Sequence, residues 1–418
     1  MNSTTRRRSQ WQQPRSQAKG KWFSFPHDES GGVAVITAFC LIVLIGFAAL
    51  VIDVGHLQAV RNELQNGADA CALRGARAFY ADVEPIAEPA DELRAKTQAN
   101  DAVGDNYSDR LSLKDLSNVV TGVWDFENHN WLGGTPVFTW PPDISNWGKI
   151  IGPGISLITK KEAAQNDGPV RMILAQVLGS SAVPVGTLAT AALSPLGNYD
   201  PSNSPTGIPP PLRISEAAAK LGEGTFTLYP NNSQWGGWHA YDIAHPNVPL
   251  LKDLVWGIDT KTGDPVTKTG DPIDIPNLST APQEGYITEI MLQNGVDAKL
   301  FMVPDPTKPN DPNQWSLLSR WLFETGQTMD PKTGVVTKDP FSTKPDAWTV
   351  RLPVTSTEYA SGTVKVVGFV DVKITKVSPP PAKTIEVNIT KVEKVAAQGS
   401  GGGGKYFGII ALDPKLVR

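Results

Sequence analysis

Sulfur and imidazole are scarce in this chain, which holds two cysteines, five methionines and five histidines among 418 residues. Two cysteines cannot build a disulfide framework. Five scattered histidines leave little material for a clustered metal centre. The strings that announce common chemistries are also missing: there is no HExxH, no GxSxG nucleophile elbow, no CxxC and no Walker A loop. The sequence therefore offers no reaction, and the expectation is a non-enzymatic protein with no catalytic residue, no cofactor and no metal. A strong charge of either sign is lacking as well. The formal net charge is −4; residues 1–29 sum to +4, from Arg6, Arg7, Arg8, Arg15, Lys19 and Lys21 against Asp28 and Glu29, leaving −8 on the rest. A mildly acidic body excludes nucleic acid as a partner, because phosphate binding needs a basic surface.

What the chain does have is glycine (38), proline (35) and tryptophan (12), at 40% hydrophobic composition. That balance describes a folded protein with many turns, richer in strands than in helices. It also has one long apolar run. Val33 to Ile52 reads VAVITAFCLIVLIGFAALVI, without a charge and with Thr37 as its polar side chain. At ~1.5 Å per residue a helix of that length covers ~30 Å, the hydrocarbon thickness of a bilayer. A signal-peptide core is shorter and ends in a cleavage site, whereas this run passes through Asp53 straight into a helical pattern. The expectation is a retained single span. The basic cluster precedes it, so the positive-inside rule puts the N-terminus in the cytoplasm and residues beyond about 54 on the other side. Trp22, Phe23 and Phe25 suit an interfacial anchor. If residues 33–79 form one helix, Cys40 and Cys71 lie on the order of 46 Å apart, too far for a disulfide.

After Asp53 the chain reads VGHLQAVRNELQNGADACALRGARAFY. Leu57, Val60, Leu64, Ala68, Cys71 and Gly75 recur every three or four positions as one apolar stripe. Gly67, Ala68, Ala70, Ala72, Gly75, Ala76 and Ala78 make the helix slim, so that a neighbour can approach closely. Asp53 is the unusual residue, since a carboxylate at the end of a span requires a partner or interfacial water. Asp53, Asn62, Glu63, Gln65 and Asn66 are the interaction candidates on this helix, as polar groups that could fix its register against a neighbour.

This stretch resembles the N-terminal module of the TadE/TadG-like proteins of Flp (tight-adherence) pilus assembly, TadG-type. The resemblance rests on Gly31-Gly32-Val-Ala-Val, Ala49-Leu-Val-Ile-Asp53-Val-Gly55, Arg61-Asn62-Glu63-Leu64-Gln65-Asn66, Ala68-Asp69-Ala70-Cys71-Ala72-Leu73 and Gly75-Ala76. It covers about fifty residues and continues more softly to about residue 195 through Gly122-x-Trp124-Asp125, Gly168-Pro-Val170-Arg171, Leu178-Gly179 and Val183–Ala189. It implies a structural or assembly component of a Tad/Flp-type pilus or related secretion apparatus. Such a protein would sit in the bacterial inner membrane with its C-terminal domain in the periplasm and act by protein–protein contact. Its partners would be other pilus-assembly or secretion components, and self-association as a homo-oligomer stays open. Prepilins cut by prepilin peptidase carry Glu five places after the cleaved glycine; Ile36 and Thr37 stand there in this chain, so a permanently anchored protein is expected. Some larger relatives carry an adhesion domain with a metal-binding Asp-x-Ser-x-Ser. Neither Asp115-Leu-Ser117 nor Asp143-Ile-Ser145 completes that motif.

Downstream, residues 82–110 read as helical with a stop at Gly104-Asp-Asn. Ser194–Pro211 (SPLGNYDPSNSPTGIPPP) reads as a linker. The expected fold is α+β: an N-terminal transmembrane helix continuing into a long stalk helix, then β-rich extracytoplasmic domains. The expected parts are a cytoplasmic tail (1–29), the span and stalk (30–80) and an α+β module (81–195). A linker (196–211), a β-rich domain (212–398) and a Gly-rich joint with a terminal strand (399–418) follow. Within the β-rich domain, Thr363–Thr375 and Thr384–Thr390 alternate clearly enough to suggest antiparallel neighbours. Lys261-Thr-Gly-Asp-Pro265 returns as Lys268-Thr-Gly-Asp-Pro272, a duplicated turn.

Three further clusters carry residues suited to binding. His239, Asp242 and His245 could ligate zinc, but an ordinary loop is the better reading, since no third ligand cluster accompanies them. Asp305, Asp311 and Asn313 could hold calcium, but lack the spacing of a defined oxygen cage. Trp235-Gly-Gly-Trp238 could form a stacking platform for sugars, which would make the protein a surface adhesin binding glycans or matrix through the distal domain. Core residues beside a turn is the favoured alternative.

Overall fold

The computed structural model describes residues 29–80, 91–134, 144–199, 209–222, 224–228, 235–239, 254–255, 278–279, 286–290, 297–305, 307, 316–360, 363–389, 393–395 and 404–417. One helix of 50 residues, Glu29–Ala78, runs through both the apolar run and the amphipathic stretch after it. At ~1.5 Å per residue it is ~75 Å long. Its two halves are treated differently by the rest of the chain. From Gly32 to Ile52 the side chains stand exposed or nearly so, Phe39 at 66% and Val51 at 70%. This is the described helix long and apolar enough to cross a membrane. Thr37 donates its hydroxyl to the Val33 carbonyl at 2.8 Å, which satisfies the hydroxyl of the apolar run within the helix itself.

From Asp53 onward the helix is half of a packed core. Of the predicted stripe, Val60, Leu64, Ala68, Cys71 and Gly75 are buried and Leu57 is half-buried, with Ala72 and Ala76 buried beside them. The small residues are needed there. A Cβ on Gly75 would sit 2.9 Å from Ile155 Cδ1 and 3.0 Å from the Ala95 carbonyl oxygen; one on Gly67 would meet Leu113 Cδ1 at 2.8 Å. A second helix, Glu92–Asp101, lies against this slim face through Ala95 and Ala99. Asp91 caps it by accepting the Arg94 N–H at 2.8 Å. Helix over 82–110 is therefore too long a reading. Residues 82–90 fall outside the described residues, and after Asp101 the chain turns through a 3-10 segment, Val103–Asp105, into the short strands Tyr107–Ser108 and Leu111–Ser112. The Asn106 side-chain amide donates to the Ala102 carbonyl at 2.8 Å, ending the helix early.

The helix pair covers a sheet of six described strands, in the order 393–395, 409–416, 185–195, 151–161, 117–125, 130–133. The long central strands pair antiparallel in the register Ile155↔Ala191 and Trp124↔Gly152. The last strand, Ile409–Leu416, pairs antiparallel with Val185–Pro195, with Leu416 opposite Ala191. The end of the chain thus completes the sheet begun by residues 117–195.

A second sheet is formed by residues 212–389. Five of its strands close a ring through pairings of Trp348–Ala360 with Thr363–Val377, then Tyr286–Ile290, Gly236–His239, Leu212–Ser215 and back to Trp348–Ala360. Ile385–Ile389 and Thr225–Leu228 extend it from Thr363–Val377. The expected antiparallel neighbours do pair, with Val372↔Ile389 and Ile374↔Val387. The helix Leu317–Thr325 packs on this sheet, capped by Ser316 and closed by Gly326 at φ 62°. Its Trp321 donates Nε1–H to the Ile374 carbonyl at 3.1 Å.

The two sheets share one hydrophobic core running from Val60 to Ala411. Residues 404–407 stitch them together. The Lys405 N–H donates to Val367, the Tyr406 N–H to Lys149 and the Gly148 N–H to Tyr406, while Lys405 Nζ pairs with Glu216 at 2.7 Å. The duplicated turn at 261–272 lies outside the described residues.

Candidate functional site

The polar residues of the long helix divide by face. An α-helix brings positions 53, 56, 57, 60, 64, 68, 71 and 75 to one side and 55, 62 and 66 to the other. The first side meets the body of the protein. Asp53 is 1% exposed, and its carboxylate accepts three successive backbone N–H groups: Ile173 at 2.8 Å, Leu174 at 3.1 Å and Ala175. Immediate neighbours cover the carboxylate although the protein around it is thin. A run of consecutive N–H groups is an anion-binding concavity, and here it supplies the partner that a carboxylate at the end of a span requires. The donors come from the loop between the short strands Val170–Arg171 and Ala182–Val183, 120 residues along the chain.

One turn further, His56 Nε2 lies 3.1 Å from Asp109 Oδ1, and the Asp109 N–H donates to Glu63 Oε2 at 2.7 Å. The Ser108 hydroxyl donates to the Val60 carbonyl at 3.3 Å. Gln65 donates to Asp69 at 2.6 Å and to the Leu188 carbonyl at 3.1 Å. Of the five candidates on this helix, Asp53, Glu63 and Gln65 therefore bind it to its own domain. Asn62 and Asn66 are exposed one helical turn apart, with Gly55 and Gln58 exposed on the same side. His56, Asp109 and Ser108 are parts of this junction that the sequence did not single out. An isolated His or a turn Asp carries no local mark of a partner some fifty residues away.

The two tryptophans are separated by burial. Trp238 is 1% exposed and meets Phe301 edge-on at 6.3 Å between ring centroids; Trp235 is half-buried, tilted on Phe226 at the same separation. At 1% exposure the Trp238 ring offers no face to a sugar, whereas Trp235 is covered only in part. His239 is a core residue. Its Nε2 lies 3.2 Å from the Leu212 carbonyl oxygen, and because a carbonyl only accepts, Nε2 carries the proton. Burial pushes its pKa down to about 3, with the nearby Arg213 adding to the effect against the Leu212 bond. Asp242 and His245 lie outside the described residues, as do Asp311 and Asn313. Asp305 accepts the N–H and hydroxyl of Thr307, an ordinary turn. Among the described residues no group of three metal-ligating side chains converges. Cys40 is exposed and Cys71 buried, both as free thiols.

The His239 shift has a measurable consequence. Unfolded histidine takes a proton near pH 6.5, whereas the folded ring resists until about 3. Stability from this group is complete above pH 6.5 and falls as pH drops towards 3. By pH 5 the loss amounts to about 2 kcal/mol. In His239→Gln, which keeps a donor without titrating, the decline in unfolding free energy between pH 7.5 and 5 should shrink by that amount. Urea titrations of the detergent-solubilised chain at both pH values measure it.

No curated protein matches the chain, and no solved structure does. A family model does match, over residues 31–78, within the 50-residue helix. The match stops at Ala78, so the softer resemblance towards residue 195 has no counterpart in it. Over those residues, the helix that leaves the apolar span, is clamped at Asp53 and enters the core is thus similar to the Tad family of TadE/G-like Flp pilus-assembly proteins.

Proposed function

We propose that this protein is a structural, non-enzymatic component of Flp-type pilus assembly. It is anchored once in the bacterial inner membrane, with its tail in the cytoplasm and its β-rich body in the periplasm. The observation that carries the reading is the junction at Asp53. The family-matched helix passes from a bare apolar span into the core of the body without a flexible joint, and Asp53, the first residue after the span, is tied to the loop at 173–175. Such a body is held at a fixed height on the membrane, which suits positioning rather than turnover. The basic residues before the span support the orientation.

Asn62 and Asn66, exposed on the helix face away from the body, are the contact residues offered to other assembly components or to a second copy. Small neighbours such as Gly55 and Ala59 let another helix approach there. The burial of Trp238 favours this reading over glycan binding through the distal domain.

A C-terminally tagged chain in cells that make the pilus tests the proposal. Full-length protein should fractionate with the inner membrane and be digested in spheroplasts but not in intact cells. A photo-crosslinking residue at position 62 or 66 should form adducts with pilus-assembly proteins or with itself. Release from the membrane, or digestion in intact cells, would replace the reading with that of an exported subunit.

A further inference from the structure

The body has apolar and basic side chains exposed at the height where the helix leaves the membrane. Ile173 is 58% exposed, although its own N–H bonds the Asp53 carboxylate, one residue past the apolar run. An isoleucine left open at that level faces the boundary between hydrocarbon and headgroups. Arg171, two residues away, is exposed as well. The hairpin tip that reaches His56 and Glu63 exposes Tyr107 at 63%, Leu111 at 47% and Arg110. His56 lies ~4.5 Å beyond Asp53 along the axis, within the ~5–8 Å of interface that flanks the hydrocarbon on each side. Both loops approach the helix on its buried side: the 173–175 loop meets it at the end of the apolar run, and the hairpin bonds it at His56, Val60 and Glu63, ~4.5 to ~15 Å beyond Asp53.

We infer that the 171–175 loop and the 107–111 hairpin tip form a second, peripheral membrane contact, seated on the phospholipid headgroups of the leaflet from which the helix emerges. Ile173 enters the acyl boundary. Tyr107 and Leu111 lie at the outer edge of the headgroup layer, where amphipathic rings collect. Arg110 and Arg171 face lipid phosphates, and anionic lipid is the favoured occupant. The inference rests on residues 33–52 being a membrane span. It fixes the body against rotation about the helix axis, which a single helix alone does not.

Depth measurement tests it. Nitroxide labels are placed singly by Ile173→Cys, Tyr107→Cys and Leu188→Cys in a Cys40→Ala background, and on native Cys40 as a reference within the span. Cys71 remains unlabelled, since it is buried and its thiol is pushed up to about 11, chiefly by burial. Leu188 is the aqueous control. It is 56% exposed, yet its carbonyl meets Gln65, twelve residues beyond Asp53 and so ~18 Å from the span. The full chain is reconstituted in phosphatidylethanolamine/phosphatidylglycerol vesicles, and collision with oxygen and with a nickel chelate is read by power saturation. Expected is a graded order: Cys40 deepest, then Ile173, then Tyr107, with Leu188 in water and several-fold more accessible to the chelate than Ile173. Equal chelate access at Ile173, Tyr107 and Leu188, with Cys40 protected, would overturn the peripheral contact and leave the span standing. Chelate access at Cys40 would remove the span and the contact together.

Discussion

Asp53→Ala should free the 172–178 loop from the helix while leaving the body folded. The substitution removes the acceptor for three consecutive N–H groups, at Ile173, Leu174 and Ala175. In the folded protein these donors bond the two carboxylate oxygens of Asp53. The rest of the junction is independent of the carboxylate: Val60, Leu64, Ala68 and Ala72 remain buried in the core. The expected result is amide exchange at 173–175 faster by on the order of ten- to a hundredfold, with the strands at 151–161 and 185–195 unchanged. Asp53→Asn keeps one oxygen but turns an amide donor towards N–H groups, so it should fall between the two. Hydrogen-exchange mass spectrometry in nanodiscs measures both. Unchanged exchange in the alanine variant would show that the loop is held by packing and not by the carboxylate. The same experiment bears on the proposed role, since a loosened loop would let the body swing on its anchor.

The largest loss of stability is expected at Asp371. Its carboxylate accepts Arg351 Nε at 2.8 Å and Nη2 at 2.7 Å, with the two residues 3% and 5% exposed. They face each other across the antiparallel pair formed by Trp348–Ala360 and Thr363–Val377. The Arg351 guanidinium also lies 5.5 Å from the centroid of Tyr199, in the segment leading out of the first sheet. Asp371→Ala leaves a guanidinium in the core without its bidentate acceptor, at a cost of about 3–5 kcal/mol. Replacing both partners with apolar residues of similar volume, as in Arg351→Met with Asp371→Leu, should recover most of that loss. Urea unfolding of the detergent-solubilised chain gives both values. A double variant as unstable as the single one would mean that the pair fixes strand register, which bulk hydrophobicity cannot restore.

These two sites show what a linear reading reaches and where it stops. The need for a partner at Asp53 is legible, because a carboxylate ending twenty apolar residues conflicts with its surroundings whatever the fold. The identity of that partner is not legible, since backbone N–H groups look the same everywhere in a sequence and these lie 120 residues away. Arg351 and Asp371 sit in runs that read as strands. A strand's period of two does not say which residue of one run will face which residue of another, and register alone set them opposite each other. Trp235-Gly-Gly-Trp238 is a similar case: two aromatics beside glycines suit a core turn or a binding platform, and only the position of Phe301 decides.

By itself the sequence determined the apolar span, the slim stripe that follows it, the likeness of that segment to a pilus-assembly family and the strand-rich character of the rest. Each depends on composition or on a period along one element, and hydrophobic length and helical spacing are local quantities. The tertiary structure decided that the helix is built into a core instead of standing free. It also decided that the last strand, Ile409–Leu416, returns to the sheet of residues 117–195, and that three of the five polar candidates on the helix bind their own domain. Those outcomes depend on which distant surfaces meet, and pairing between segments a hundred or more residues apart leaves no periodic trace in either one.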